Sequence, residues 1–159
     1  MTATTTVSIS GATAPSSGQV LTATSSTNAT WQTPSAGSLP VITKVEAFSA
    51  TTTTSSSDVL MSSMTITPSS GNYLVWFSGD LNHNSSNATI NCSIYSAGSK
   101  IAASERIFER GGSQGNVGST FYCMANVTVN GSQTIEGHWS TSTSTATNNC
   151  RQLFIMKVT

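Results

Sequence analysis

From residue 41 onward, apolar and polar side chains alternate in short runs, with turn-forming residues between them. A two-residue period marks a strand with one dry face and one wet face. Strands are expected at 41–52, 58–67, 72–82, 88–96, 100–109, 119–130, 133–141 and 150–158. The turns between them include "PSSG" at 68–71, "NHNSSN" at 82–87, "SAGS" at 96–99, "RGGSQGNVGS" at 110–119 and "VNGSQ" at 129–133. Asn130–Gly131 is a hairpin signal, because both residue types tolerate positive φ. No segment holds a 3.6-residue apolar period over three turns, and Ser, Thr and β-branched residues disfavour helix.

The alternation assigns faces. Tyr73, Val75, Phe77 and Leu81 share one side of their strand, and Leu74 and Trp76 share the other with Ser78 and Asp80. Phe121, Cys123, Ala125, Val127 and Val129 face one way, opposite Tyr122 and Met124. Ile90, Cys92 and Ile94 form one apolar face, and Ile135 and Trp139 another. In "RQLFIMKV", Leu153 and Ile155 oppose Phe154, Met156 and Val158, so both faces are apolar. A two-sheet sandwich needs only one apolar face per strand. The stretches 73–77, 121–124 and 153–158 therefore require cover on their second face, which points to a subunit interface.

Residues 1–40 differ. They hold no charged residue, and their large apolar side chains are few: Val7, Ile9, Val20, Leu21, Trp31 and Leu39. "GQVLTATSS" and "ATWQTP" read as two short strands, punctuated by Gly and Pro. The chain thus divides into a segment at 1–40 and a domain at 41–159. One copy of the first segment cannot form a core.

Composition narrows the classes. Only 8% of residues are charged, six basic and six acidic, for a formal net charge of +0. Ser and Thr make up about a third of the chain, well above ordinary usage. A nucleic-acid binder needs clustered Lys and Arg to displace counterions, and none are clustered here. A polybasic membrane contact is excluded on the same ground, and no apolar run is long enough to span a bilayer. Zero net charge suits an assembled protein better than a freely diffusing monomer. "MTATTTVSIS" has neither a basic start nor a continuous apolar run, so the expectation is folding in a cytoplasm. Cys92, Cys123 and Cys150 form no CxxC pair and read as three reduced thiols. The N-x-S/T matches follow from the Ser/Thr content alone.

Catalytic chemistry is not written in the motifs. Glu105 and Glu109 lie with Arg106 and Arg110 in "ASERIFERGG", which reads as an exposed ion-paired edge. His83 is expected at a loop tip and His138 in a strand, and no G-x-S-x-G accompanies them. "GGSQGNVG" has no Lys and no following helix, so it is no phosphate cradle. The expectation is a non-enzyme without metal, cofactor or catalytic residues.

Eight strands in about 115 residues suit a jelly roll. "PSSGNYLVWFSGDL" resembles the central strand of the trimeric jelly-roll superfamily that includes tumour necrosis factor and complement-type globular heads. "RQLFIMKV" is similar to that group's closing strand, and "SIYSAGSKIAASERIF" to one of its hairpins. "APSSGQVLTATSSTNATWQTP" resembles a short unit of phage fibre and virion-surface proteins, commonly placed before a trimeric head. These resemblances imply an all-β homotrimer: an N-terminal extended stalk or anchor, then an eight-stranded antiparallel jelly-roll sandwich. They imply a virion-surface protein of a tailed phage, assembled in the host cytoplasm. The favoured role is capsid decoration or cementing, with the N-terminus docked on the major capsid protein or another virion protein through Val7 and Ile9. The alternative is a short tail fibre or tip whose head binds a host surface glycan or receptor. The expected trimer contacts are Val20, Leu21, Trp31, Tyr73, Phe77, Tyr122, Phe154 and Met156.

Overall fold

The computed structural model describes residues 8–9, 16–34, 40–109 and 118–158. The chain divides into two compact units, Met1–Leu39 and Pro40–Thr159. In the first, β1 (Ser8–Ile9), β2 (Val20–Ala23) and β3 (Asn28–Gln32) form a small sheet in the order β1-β3-β2. β2 and β3 are antiparallel, with Leu21 opposite Trp31, and β1 runs parallel to β3. Their connection is held by hydroxyls and amides: the Ser25 Oγ accepts from the backbone N–H groups of Thr27 and Asn28.

The second unit is an all-β, sandwich-like pair of sheets. One combines β4 (Ile42–Ala47), β5 (Thr51–Thr53), β7 (Gly71–His83), β11 (Ser119–Val129), β13 (Ala146–Asn148) and β14 (Arg151–Lys157). Its main run is β4-β14-β7-β11, with β13 and β5 continuing beside the far end of β7. The other sheet runs β10-β8-β12-β6, built from β6 (Val59–Ile66), β8 (Thr89–Ser96), β10 (Arg106–Glu109) and β12 (Ile135–Thr141). The two-residue β9 (Ser99–Lys100) pairs with β8 and leads into a 3-10 turn at Ala102–Ser104.

The core lies between the sheets. Phe77, Phe121, Ile94, Ile135, Leu153 and Ile155 are wholly buried there, and Trp139 nearly so. The Phe77 and Phe121 rings meet edge to face at 4.7 Å. These residues belong to the alternating sets that the sequence assigned to single strand faces. Packing is close enough to fix residue choice: a Cβ on Gly137 would sit 2.6 Å from the Phe77 ring.

Two expected strands are broken, one strand was not expected, and one expected turn is of another kind. The stretch 41–52 is two strands, because the chain breaks at Phe48–Ala50, where the Ser49 carbonyl accepts from buried Arg151. The stretch 100–109 breaks at the 3-10 turn, where the Ser104 Oγ accepts from Ile94 N–H and donates to Ile101 O. β13 carries only one apolar residue, so its pattern gave no strand signal; Asn148, wholly buried, holds it through Asp80 and Cys150 carbonyls. Asn130–Gly131 is not a hairpin turn. β11 and β12 belong to different sheets, and the turn carries the chain between them, with Gly131 at φ +97° and Asn130 Oδ1 accepting from Ser132.

Candidate interaction face

The registers across β4, β14, β7 and β11 define the outer face of their sheet as a grid. One row is Ile42, Met156, Leu74, Asn126; the next is Lys44, Phe154, Trp76, Met124; the third is Glu46, Gln152, Ser78, Tyr122. Two rows are thus largely apolar and the third polar, with the Gln152 amide donating to Ser78 Oγ at 3.1 Å. Trp76 and Phe154 pack edge to face at 5.2 Å. Around this half-buried centre, Ile42, Met124 and Tyr122 are 54%, 54% and 67% exposed, and Phe48, beyond the end of β4, is 76% exposed.

The reason is topological. β7, β11 and β14 each carry apolar residues on both faces, and the second sheet covers only one of them. Contiguous exposed apolar patches rimmed by polar residues mark interaction surfaces. Shallow concavities lie on the same face: about 390 Å³ beside Leu74, Trp76, Ala103, Met124 and Asn126, and about 110 Å³ beside Glu46, Phe48, Ser78 and Gln152. The one charge pair on the face, Lys44 with Glu46 at 2.9 Å, lies on the edge strand β4 and is solvent-exposed enough to hold little energy.

The structure brings Tyr122, Phe154 and Met156 together on this face. It does not bring Tyr73 and Phe77 there. Both point inward, 4% and 0% exposed, and are part of the protomer's own core. They are corrected from interface to core residues, since a side chain already enclosed by its own sandwich has no surface to offer a partner. Leu74 and Trp76, on the opposite side of the same strand, hold the positions facing outward. Alternation favours this choice, because the opposite face runs on into Ser78 and Asp80 while this one stays apolar as far as Leu81. In the first unit, Val20 and Leu21 are exposed and Trp31 half-buried. Val7 lies outside the described residues, and Ile9 is placed as a backbone position opposite Ala29.

The outer face of the second sheet is of another kind. Asp58 there accepts from Ser140 Oγ at 2.7 Å, Tyr95 Oη at 3.0 Å and Lys100 Nζ at 3.0 Å. Lys100 also pairs with Glu105, so this glutamate is not partnered with Arg106, whose guanidinium donates to the carbonyls of Ala103 and Glu105. Burial opposes the Asp58 charge, but the hydrogen bonds from Ser140, Lys100 and Tyr95 outweigh it and hold its carboxyl below the usual range. Tyr95 stacks on His138, and His138 Nε2 meets Glu136 at 2.9 Å. His83 is not at a loop tip: it is 3% exposed at the end of β7, its Nε2 within 2.9 Å of Thr141 Oγ1 and 2.7 Å of Thr143 O, while Nδ1 accepts from Ser85 N–H.

Cys92 and Cys123 are buried free thiols and Cys150 an exposed one. Burial pushes the Cys123 thiol up to about 12 and raises Cys92 well above its ordinary value, so the thiolate form is disfavoured at both. Among the described residues, no group of three His, Cys, Asp or Glu side chains could hold a metal ion. No described helix is long and apolar enough to cross a membrane. No protein-family model and no curated protein matches the chain.

Proposed function

We propose that this chain is a homotrimeric structural protein of a tailed-phage virion, decorating or cementing the capsid. The 41–159 domain is the outward head, and the N-terminal segment is the stalk and anchor. The observation that carries the reading is the open apolar face around Trp76 and Phe154, which calls for copies of the same chain as its cover. The strand order supports a jelly roll: of the eight long strands, β4, β7, β11 and β14 lie in one sheet and β6, β8, β10 and β12 in the other, and the chain changes sheet at every step except β8 to β10. The lean first unit supports a segment completed by its own symmetry mates, since Ala29 is its one buried apolar residue among those described. Three anchors per trimer would act jointly, so weak single contacts would hold through effective concentration.

Attachment through residues 1–16 rests on main-chain pairing and apolar contact, because the segment has no charge. The test is co-sedimentation with particles that lack this protein. The intact chain binds them and stays bound in raised salt, while a chain without residues 1–16 does not bind. Equal binding by both would remove the anchor role, and release by moderate salt would remove the apolar mechanism. Imaging of labelled particles then places the copies: on the capsid for decoration, on the tail for a receptor-binding fibre.

A further inference from the structure

We infer that Asp58 and Lys100 join covalently within the chain: the Lys100 amine displaces one oxygen of the Asp58 carboxyl as water, Glu105 carries a proton, and an amide cross-link remains. This inference goes beyond the virion reading and does not rest on it. Lys100 Nζ lies 3.0 Å from Asp58 Oδ2 and also meets the Glu105 carboxylate. A carboxyl electrophile and a proton carrier thus converge on one amine. The site is largely shielded from water, with the Asp58 side chain 12% exposed and that of Lys100 30%. The fold brings each group from a different element. Lys100 ends β9, Glu105 follows the 3-10 turn, and Asp58 directly precedes β6.

The two oxygens of Asp58 are held differently. Oδ1 accepts from Ser140 Oγ at 2.7 Å, and Oδ2 from Tyr95 Oη at 3.0 Å and Ser93 Oγ at 3.4 Å. Tyr95 is itself steadied by its stack on His138. Donors fixed on a carboxyl oxygen stabilise the charge that grows there when a nucleophile adds. The step balances without a co-reactant. One ammonium proton of Lys100 passes to Oδ2, which leaves a neutral amine facing a carboxylic acid. Nζ adds to Cγ, and the carbonyl electron pair moves onto Oδ1, beneath the Ser140 hydroxyl. Glu105 takes a second proton from the nitrogen and hands it to Oδ2. The Oδ1 pair returns, the Cγ–Oδ2 bond breaks, and water leaves; the third proton stays on the amide nitrogen. Holding amine and carboxyl in contact replaces a chance encounter, which favours a condensation that free groups in water do not make. At rest the groups are ionised. Pairing with Glu105 and then Asp58 raises the Lys100 pKa despite its burial, and Asp58 stays below its usual range. The neutral pair is a small fraction, so the bond is expected to form slowly after folding.

Mass spectrometry of the purified full chain, held for several days at neutral pH and then denatured, reads the bond directly. Trypsin cuts after Lys44, Lys100 and Arg106 in an unlinked chain. A linked Lys100 is no longer cut, so the expected product is a single fragment, 45–106, lighter than its sequence by one water. Fragments 45–100 and 101–106 at full mass would overturn the inference. So would a water lost from 45–100 with Lys100 still cut, which is the mark of a cyclised aspartate rather than a cross-link. Two variants then assign the roles. Lys100→Arg keeps a cation but removes the nucleophile, and it is expected at full mass; a missing water there would place the loss elsewhere and overturn the inference. Glu105→Gln keeps the shape but cannot carry the proton, and its linked fraction is expected to fall at least tenfold. Linking of Glu105→Gln at the wild-type rate would overturn the proton-carrying step. These measurements use no particles, so their outcome and that of particle binding are independent.

Discussion

The two units of the chain solve the problem of burial in opposite ways. In Pro40–Thr159, twenty described apolar residues are buried, and the sandwich needs no help to hold them. In Met1–Leu39, Ala29 alone is buried among the described residues, while Val20 and Leu21 are 49% and 42% exposed. Both units are β-sheet and both are rich in hydroxyls, so strand propensity does not separate them. What separates them is whether alternating apolar positions find a second sheet to pack on. A hairpin with a third short strand is marginal in water unless its apolar face is covered. The first unit is therefore expected to draw its stability from copies or partners, and the second from itself.

The sharpest way to break the self-sufficient unit is at Phe77. Phe77→Ala is expected to cost about 3–5 kcal/mol, read as a fall in the denaturation midpoint. Gly137→Ala should cost about 3 kcal/mol, because its Cβ would lie 2.6 Å from that ring. The two costs should not add. With the ring gone, the methyl group has room, so Gly137→Ala in the Phe77→Ala background should be close to neutral. Full additivity in that cycle would show that the close approach is not what fixes glycine there.

A smaller effect is expected at Asp80. Its carboxylate accepts from the N–H groups of Asn149 and Cys150 at 2.8 and 2.7 Å and from the Asn149 side chain at 2.9 Å. Asp80→Ala should cost about 2 kcal/mol, since water can reach part of this site. Burial raises the Asp80 pKa, but these hydrogen bonds outweigh it and set the folded value below 3.8, as they do at Asp58. A depressed carboxyl pKa gives stability that is present above the unfolded value and lost as pH falls through the folded one. Melting temperature should therefore hold steady down to about pH 4 and then fall, and the fall should be shallower in Asp80→Ala. An identical acid limb in both proteins would remove Asp80 from this account.

The smallest effect on the sandwich is expected from the first unit. Leu21→Ser or Trp31→Ala should change the melting of the 40–159 sandwich by less than about 0.5 kcal/mol. The same changes should weaken attachment to particles. A large loss of stability there would contradict the independence of the two units.

Much of the sandwich was legible because burial there follows a strict two-residue period. Ile90, Cys92 and Ile94 alternate cleanly, and so do Leu153 and Ile155, and each falls inside. The open apolar face was half legible. Apolar residues on both sides of β7 announced a second apolar face, but Tyr73 and Phe77, which are buried within the sandwich, were expected on it. They share a side of the strand with Val75 and Leu81, and that side packs within the sandwich. What the pattern could not carry were features made by single polar side chains. Arg151 reaches the carbonyls of Ser49 and Ser62, and Asn148 ties β13 to Asp80. Such contacts join residues far apart in sequence and leave no period behind. Asn130–Gly131 misled for a related reason: turn chemistry fixes the local bend, not which sheet the next strand joins.

The most direct test of the account is the mass of the intact chain in solution. Light scattering at about 1 µM, a typical working concentration for stable complexes, should give three times the 16.4 kDa chain mass. A mass of one chain would contradict the central claim, because the face around Trp76 and Phe154 would then be open to water without a partner.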